Sequence, residues 1–209
     1  FPTRRSSDLL DKGQMWIGTT TNGAYRLQLD KNELTHPILK GNITSIYQDS
    51  EGELWIGSWE EGLHHVKTDG TIEIFEYDAK NPYSISSNFV RACCEDNLGN
   101  IWIGTFNGLN RYDKSTGLFQ NHTASDAQSD GLTHSSIWCI VKDNQGTLWL
   151  GTYFGGVNYF NPEYEIYSRY MYSPIEKKGL SNPVVGRTIE DKDGNLWIGT
   201  EGGGLNYYN

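Results

Sequence analysis

One short phrase recurs five times along this chain of 209 residues: QMWIGT, ELWIGS, NIWIGT, TLWLGT and NLWIGT. Its indoles fall at Trp16, Trp55, Trp102, Trp149 and Trp197, at intervals of 39, 47, 47 and 48 residues. A repeat of that length is one supersecondary unit, which cannot bury its apolar face alone and must stack on its neighbours. What distinguishes the function of such a chain therefore lies in residues that vary between repeats.

Period-two hydrophobicity and turn chemistry divide each repeat into four strands. The first is a short mixed run, as at 43–48, 89–95, 136–142 or 184–190. A tight turn follows, DSEG, DNLG, DNQG or DKDG, whose Asp caps the backbone and whose Gly takes positive φ. In the tryptophan strand, Gly18, Gly57, Gly104, Gly151 and Gly199 imply close approach of another backbone or ring. A second glycine, at Gly23, Gly62, Gly108, Gly156 and Gly204, opens the third strand, and a fourth strand closes the unit, as at 71–77 or 117–121. No stretch has helical apolar spacing, and 24 glycines would break helices throughout. The expected fold is all-β, a partial β-propeller of four-stranded antiparallel blades with the five indoles buried between blades.

Repeats are expected at about 10–40, 41–80, 86–122, 134–170 and 182–209. Leu10 stands where the other copies carry Asp six residues before Trp, so the first repeat is expected to lack its first strand; the last stops after its third. Three complete and two incomplete blades are therefore expected, as an open arc of a ring of about seven. FPTRRSSDL, at 1–9, matches no repeat and reads like a translated sequencing adapter, so it is set apart as a non-native leader.

Seventeen basic against 26 acidic residues give a net charge of −9, and no basic patch is visible, which argues against a nucleic-acid partner. No apolar run approaches the roughly 18 residues of a membrane span. Cys93 and Cys94 stand where other repeats carry apolar strand residues, and as strand neighbours they face opposite ways; a bridge from either to Cys139 is left open. His64 and His65 have no zinc spacing, and the DKDG turn fails as a calcium loop because Ile189 stands at its first ligand position. The sequons at Asn42 and Asn121 carry meaning only in a eukaryotic secreted protein. No metal or cofactor is expected.

Binding on such scaffolds is carried by the connectors, which here are long at 78–88, 122–135 and 171–182, and by the loops from second to third strand. Those loops carry Trp59, Glu60, Phe106, Tyr153, Phe154 and Glu201, an aromatic and acidic set suited to sugar rings, to a subunit interface or to simple packing. The inner ends of the first strands diverge as Thr44, Arg91, Trp138 and, one position on, Arg187. These residues would hold an acidic or neutral saccharide by bidentate and stacking contacts, or pair with channel carboxylates. Catalysis would need two carboxylates at a defined separation, and Glu60, Glu61, Asp126, Asp130 and Glu201 fulfil that only by assumption. With no nucleophilic triad or phosphate loop either, the segment is read as non-catalytic.

The pattern D-x-x-G-x-[LIM]-W-[IL]-G-[TS], a loop, then G-[LV]-x-x-[YVF]-[DNK], resembles the two-component regulator propeller repeat and covers residues 10–209. The resemblance implies the periplasmic sensor region of a membrane-bound histidine kinase, often a hybrid kinase, that senses oligosaccharides. Its partners would be an oligosaccharide or other small ligand, further blades and downstream domains of the parent chain, and a second copy of the parent. No ligand residue transfers, because the shared motif is structural. The alternative is a protein-binding scaffold; a glycosidase or lyase ranks last. Exposed rings around a concave channel would favour sugar, and a flat apolar patch would favour protein.

Overall fold

Alternating strands joined by Gly turns produce five antiparallel sheets in the computed structural model, which describes residues 8–11, 13–35, 38–124, 131–162, 166–173 and 179–209. The first sheet runs β1 (Asp8–Asp11), β2 (Gln14–Gly18), β3 (Ala24–Gln28), β4 (Glu33–Leu34). The second runs β5 (Ile43–Gln48), β6 (Leu54–Ser58), β7 (Leu63–Val66), β8 (Ile72–Phe75), and the third β9 (Val90–Glu95), β10 (Ile101–Thr105), β11 (Gly108–Asp113), β12 (Leu118–His122). The fourth runs β13 (Ile137–Lys142), β14 (Leu148–Thr152), β15 (Val157–Asn161), β16 (Ile166–Tyr170). The fifth has three strands, β17 (Val185–Glu190), β18 (Leu196–Thr200) and β19 (Gly204–Tyr208).

The first repeat departs from expectation. β1 pairs with β2, Leu9 opposite Trp16 and Leu10 opposite Met15, so this sheet has a first strand, and four sheets rather than three carry four strands. Without β1 the edge of β2 would leave N–H and C=O groups unpaired, which any extended segment within reach can satisfy. Asp8 and Leu9 of the segment set apart as a leader thus belong to the sheet; residues 1–7, Asp126 and Asp130 lie outside the described residues.

First strands of successive sheets lie side by side, β1 with β5, then β9, β13 and β17, which places them around a common axis as the inner strands of blades. The core lies between blades, in four clusters, one per interface. Trp55 and Leu63 meet Val90 and Ile103 across one interface, and Trp102 and Leu109 meet Ile137 and Leu150 across the next. Trp16, Trp55, Trp102 and Trp149 are buried there as expected, while Trp197, on the last blade, is half-buried. The strand glycines explain how the blades come so close. A Cβ on Gly104 would stand 2.7 Å from Ile137 Cγ2, so a β-branched side chain of the next blade seats on the bare glycine.

Each turn Asp does more than cap. Asp96 Oδ1 accepts from the amides of Leu98 and Asn100, and its Oδ2 accepts from Trp102 Nε1 at 2.7 Å. Asp49, Asp143 and Asp191 repeat this with Trp55, Trp149 and Trp197. The long connectors are pinned where they enter the inner strands: Ile85, Leu132 and Leu180 are buried pegs, and Asn110, Asn158 and Asn206 accept from the amides of Ser86, Thr133 and Ser181.

Candidate functional site

Every complete inner strand breaks register at the same place. In β5 the pairing passes from Ile43 to Ser45, in β9 from Val90 to Ala92, in β13 from Ile137 to Cys139 and in β17 from Val185 to Arg187. The residues skipped are Thr44, Arg91, Trp138 and Gly186. A β-bulge leaves one residue without a partner and re-aims its side chain, so the repeat places one freely variable residue per blade toward the axis. Arg187, singled out by divergence, is therefore not the fourth member of that series; it lies one residue past the bulge, paired with Gly199 and exposed.

Above each bulge sits the first residue of the second-to-third loop. The amides of Trp59, Phe106, Tyr153 and Glu201 donate to Asn42, Phe89, Ser136 and Val184, at 2.9–3.0 Å, tying each loop to the residue just before or just inside the expected inner strand. The two series interleave around Arg91. Its guanidinium carbon lies 4.3 Å from the Trp59 ring and 4.3 Å from the Trp138 ring, with Phe106 at 6.0 Å. Trp138 stacks on Tyr153 at 5.1 Å and 16°, and Phe154 meets Tyr153 edge-on at 4.3 Å. On the other side Trp59 touches Phe89 and Phe106. Six of the nine candidate residues thus form one continuous ladder of rings and one cation.

Below the ladder opens a cleft of about 680 Å³ lined by the inner strands of four blades, including Thr44, Ser45, Arg91, Trp138, Arg187 and Glu201. Glu60 is exposed and does not line it. Phe89 and His134, the latter 6.1 Å from Phe154, belong to the ladder but escaped the sequence reading. Both end connectors, where no repeat pattern flags them.

Arg91 is 7% exposed, and its Nε and Nη1 are buried without a hydrogen-bond partner. Ion pairs among the described residues involve His65, Lys67 and Lys114, none of which lines the cleft. Among the described residues no ion pair joins Arg91 or Arg187 to a carboxylate. Stacking on two indoles offsets part of the desolvation, by about 2 kcal/mol for a cation–π contact in a dry site. The unsatisfied donors remain a cost.

The other reactive groups are quiet. Cys93, Cys94 and Cys139 are buried free thiols, and burial pushes Cys93 up to about 12 and Cys94 to about 11, which keeps them un-nucleophilic. Asp49, Glu53 and His65 converge closely enough to suggest a metal. The Asp49 oxygens are already committed, however, to two amides, Trp55 and Lys114, and His65 Nε2 lies 2.7 Å from Glu53. This cluster is an inter-blade tie, since Lys114 comes from the neighbouring blade.

Fold and site together define a β-propeller segment in which the residues that vary between repeats gather at the axis. The profile described as two component regulator propeller matches residues 37–60, 84–107, 131–154 and 179–202, and the chain belongs to that repeat family. Its structure is similar to a domain described as the extracellular part of hybrid two component system BT3049 of B. thetaiotaomicron, with TM-score 0.77 and 25% identity over 98% of this chain and 26% of that one. The extracellular domain of system BT4673 from the same organism gives 0.76 and 22%, over 96% and 26%. Virginiamycin B lyase of Staphylococcus aureus shares the fold at 0.70 and 14%, over 98% and 69%. The chain thus spans about a quarter of the length of those extracellular domains. Comparison with curated proteins gives no match. Among the described residues no helix is long and apolar enough to cross a membrane.

Proposed function

We propose that this segment is a non-catalytic, ligand-reading part of the periplasmic sensor of a two-component histidine kinase, and that its ligand is an oligosaccharide. The observation that carries the reading is the ladder from Phe106 through Trp59, Arg91 and Trp138 to Phe154, standing at the mouth of a concave cleft rather than on a flat patch. Ring faces pack on sugar C–H faces, and the hydroxyls of Thr44, Ser45 and Thr200 offer fixed partners to sugar hydroxyls. Support for a sensor comes from family membership and from the extracellular domains it resembles. Against catalysis, Glu201 is the single carboxylate lining the cleft among the described residues, where glycoside hydrolysis needs a pair.

Isothermal titration of the chain with a panel of neutral and acidic oligosaccharides tests this. Saturable binding by at least one member is expected, weakened by about tenfold in Trp138→Ala, because that indole holds both the Arg91 guanidinium and the Tyr153 ring in place at the cleft. A panel without a binder would refute the saccharide reading and return the scaffold alternative.

A further inference from the structure

Resting on that reading, we infer that the cleft selects a saccharide bearing a carboxylate, and that Arg91 is the group that recognises the charge. Both faces of the guanidinium are covered, by Trp59 and Trp138 at 4.3 Å each. Its five donors lie in its plane. The stacked rings therefore satisfy the faces and leave the in-plane donors, of which Nε on one edge and Nη1 on the other have no partner. A neutral sugar would leave that buried positive charge uncompensated. A carboxylate is planar and accepts two parallel N–H bonds, from Nη2 together with either Nε or Nη1, so it gives one of the orphaned donors a partner and the charge a counter-charge, in the plane the indoles enforce.

The rest of the cleft agrees. Arg187 adds a second cation from the inner strand of the fifth blade, against the one carboxylate of Glu201. The net charge of −9 does not oppose this locally, because Asp49, Asp96, Asp143 and Asp191 are engaged in their own turns and do not line the cleft. Entry displaces the loosest cover of the guanidinium, Phe106, which is 45% exposed. The side chain that confers selectivity stands on a bulge, where a change of residue leaves the strand ladder intact.

The test compares trigalacturonate, its full methyl ester and acetate by titration against the chain. The ester differs only in losing the charges, and acetate only in losing the sugar. Trigalacturonate is expected to bind at least about tenfold more tightly than either, the ratio one charge-assisted pair supplies. Arg91→Met, which keeps the stacked bulk, should bring acid and ester to parity. Should that variant fail to melt cooperatively, Arg187→Gln, at an exposed position, must still lower the acid-to-ester ratio. Equal binding of acid and ester, acetate binding as tightly as trigalacturonate, or no binding of trigalacturonate each overturns the inference. The wider saccharide reading falls separately, only if the neutral panel also fails.

Discussion

At the residue scale, the pairing of each turn Asp with the indole six residues on is the smallest unit that makes a blade. One carboxylate holds two turn amides and a buried indole N–H, so its removal strands three donors at once. Asp96→Ala is expected to destabilise by about 2–3 kcal/mol in urea unfolding, since a buried donor left unpaired costs about 1–3 kcal/mol. By the same logic Trp16→Phe should cost less than Trp102→Phe, because Leu10 stands where the first repeat would need its Asp. These carboxylates also set the acid limit. The Asn195 amide, then Trp197, pulls Asp191 down to about 2, and at Asp49 burial pushes upward but is outweighed by hydrogen bonds from Trp55 and Lys114. A carboxyl group depressed by folding stabilises above its unfolded pKa and loses that contribution as the pH falls through its folded one. The melting temperature should be flat from pH 7 to 5 and drop below about pH 4 toward 2; a drop beginning near pH 6 would point to histidines instead. The Asp cap was legible in D-x-x-G, but the Asp–Trp bond was not, because the six-residue relation becomes a contact only once the turn has folded.

At the element scale, the glycine of the tryptophan strand matters by what the next blade puts against it. Gly104→Ala drives a methyl toward Ile137 Cγ2, 2.7 Å away, and should cost about 1–3 kcal/mol as overpacking. Gly199→Ala meets nothing nearer than a carbonyl oxygen at 3.6 Å and should stay within about 0.5 kcal/mol. Equal losses in chemical denaturation would contradict the seating of Ile137 on Gly104. The sequence announced close approach at these glycines, but not the β-branched knob that makes it. It likewise missed the bulges, because alternation along 90–95 or 137–142 looks continuous and an unpaired residue shows only against its partner strand. Divergence found Arg91 and Trp138, and in the fifth blade it led to Arg187 instead of Gly186, since a glycine on a bulge has no side chain to attract notice. The pegs Ile85, Leu132 and Leu180 sit in connectors whose lengths vary, so no fixed spacing from Trp reveals them.

At the scale of the whole molecule, the repeat number, the sheet order and the interface cores were all legible, because a 47-residue period admits few ways of hiding one face of a sheet. What the period cannot convey is how far the face of the fifth sheet is covered. Leu205 is 64% exposed and Tyr207 50%, although Leu63, Leu109 and Val157, in the register position of Leu205, are fully buried. An apolar sheet face of this kind is adhesive. The chain should self-associate in sedimentation velocity at tens of micromolar, and Leu205→Glu should return it to monomer; a monomer without that substitution would contradict this. The central claim, that the bulged inner strands and the loops above them form the reading head of the sensor, is tested most directly by hydrogen exchange with and without the best-binding saccharide. Slowed exchange should be confined to the inner strands β5, β9, β13 and β17 and the loops after β6, β10, β14 and β18. Protection falling instead on the outer strands β8 and β12, with the inner strands unchanged, would contradict it.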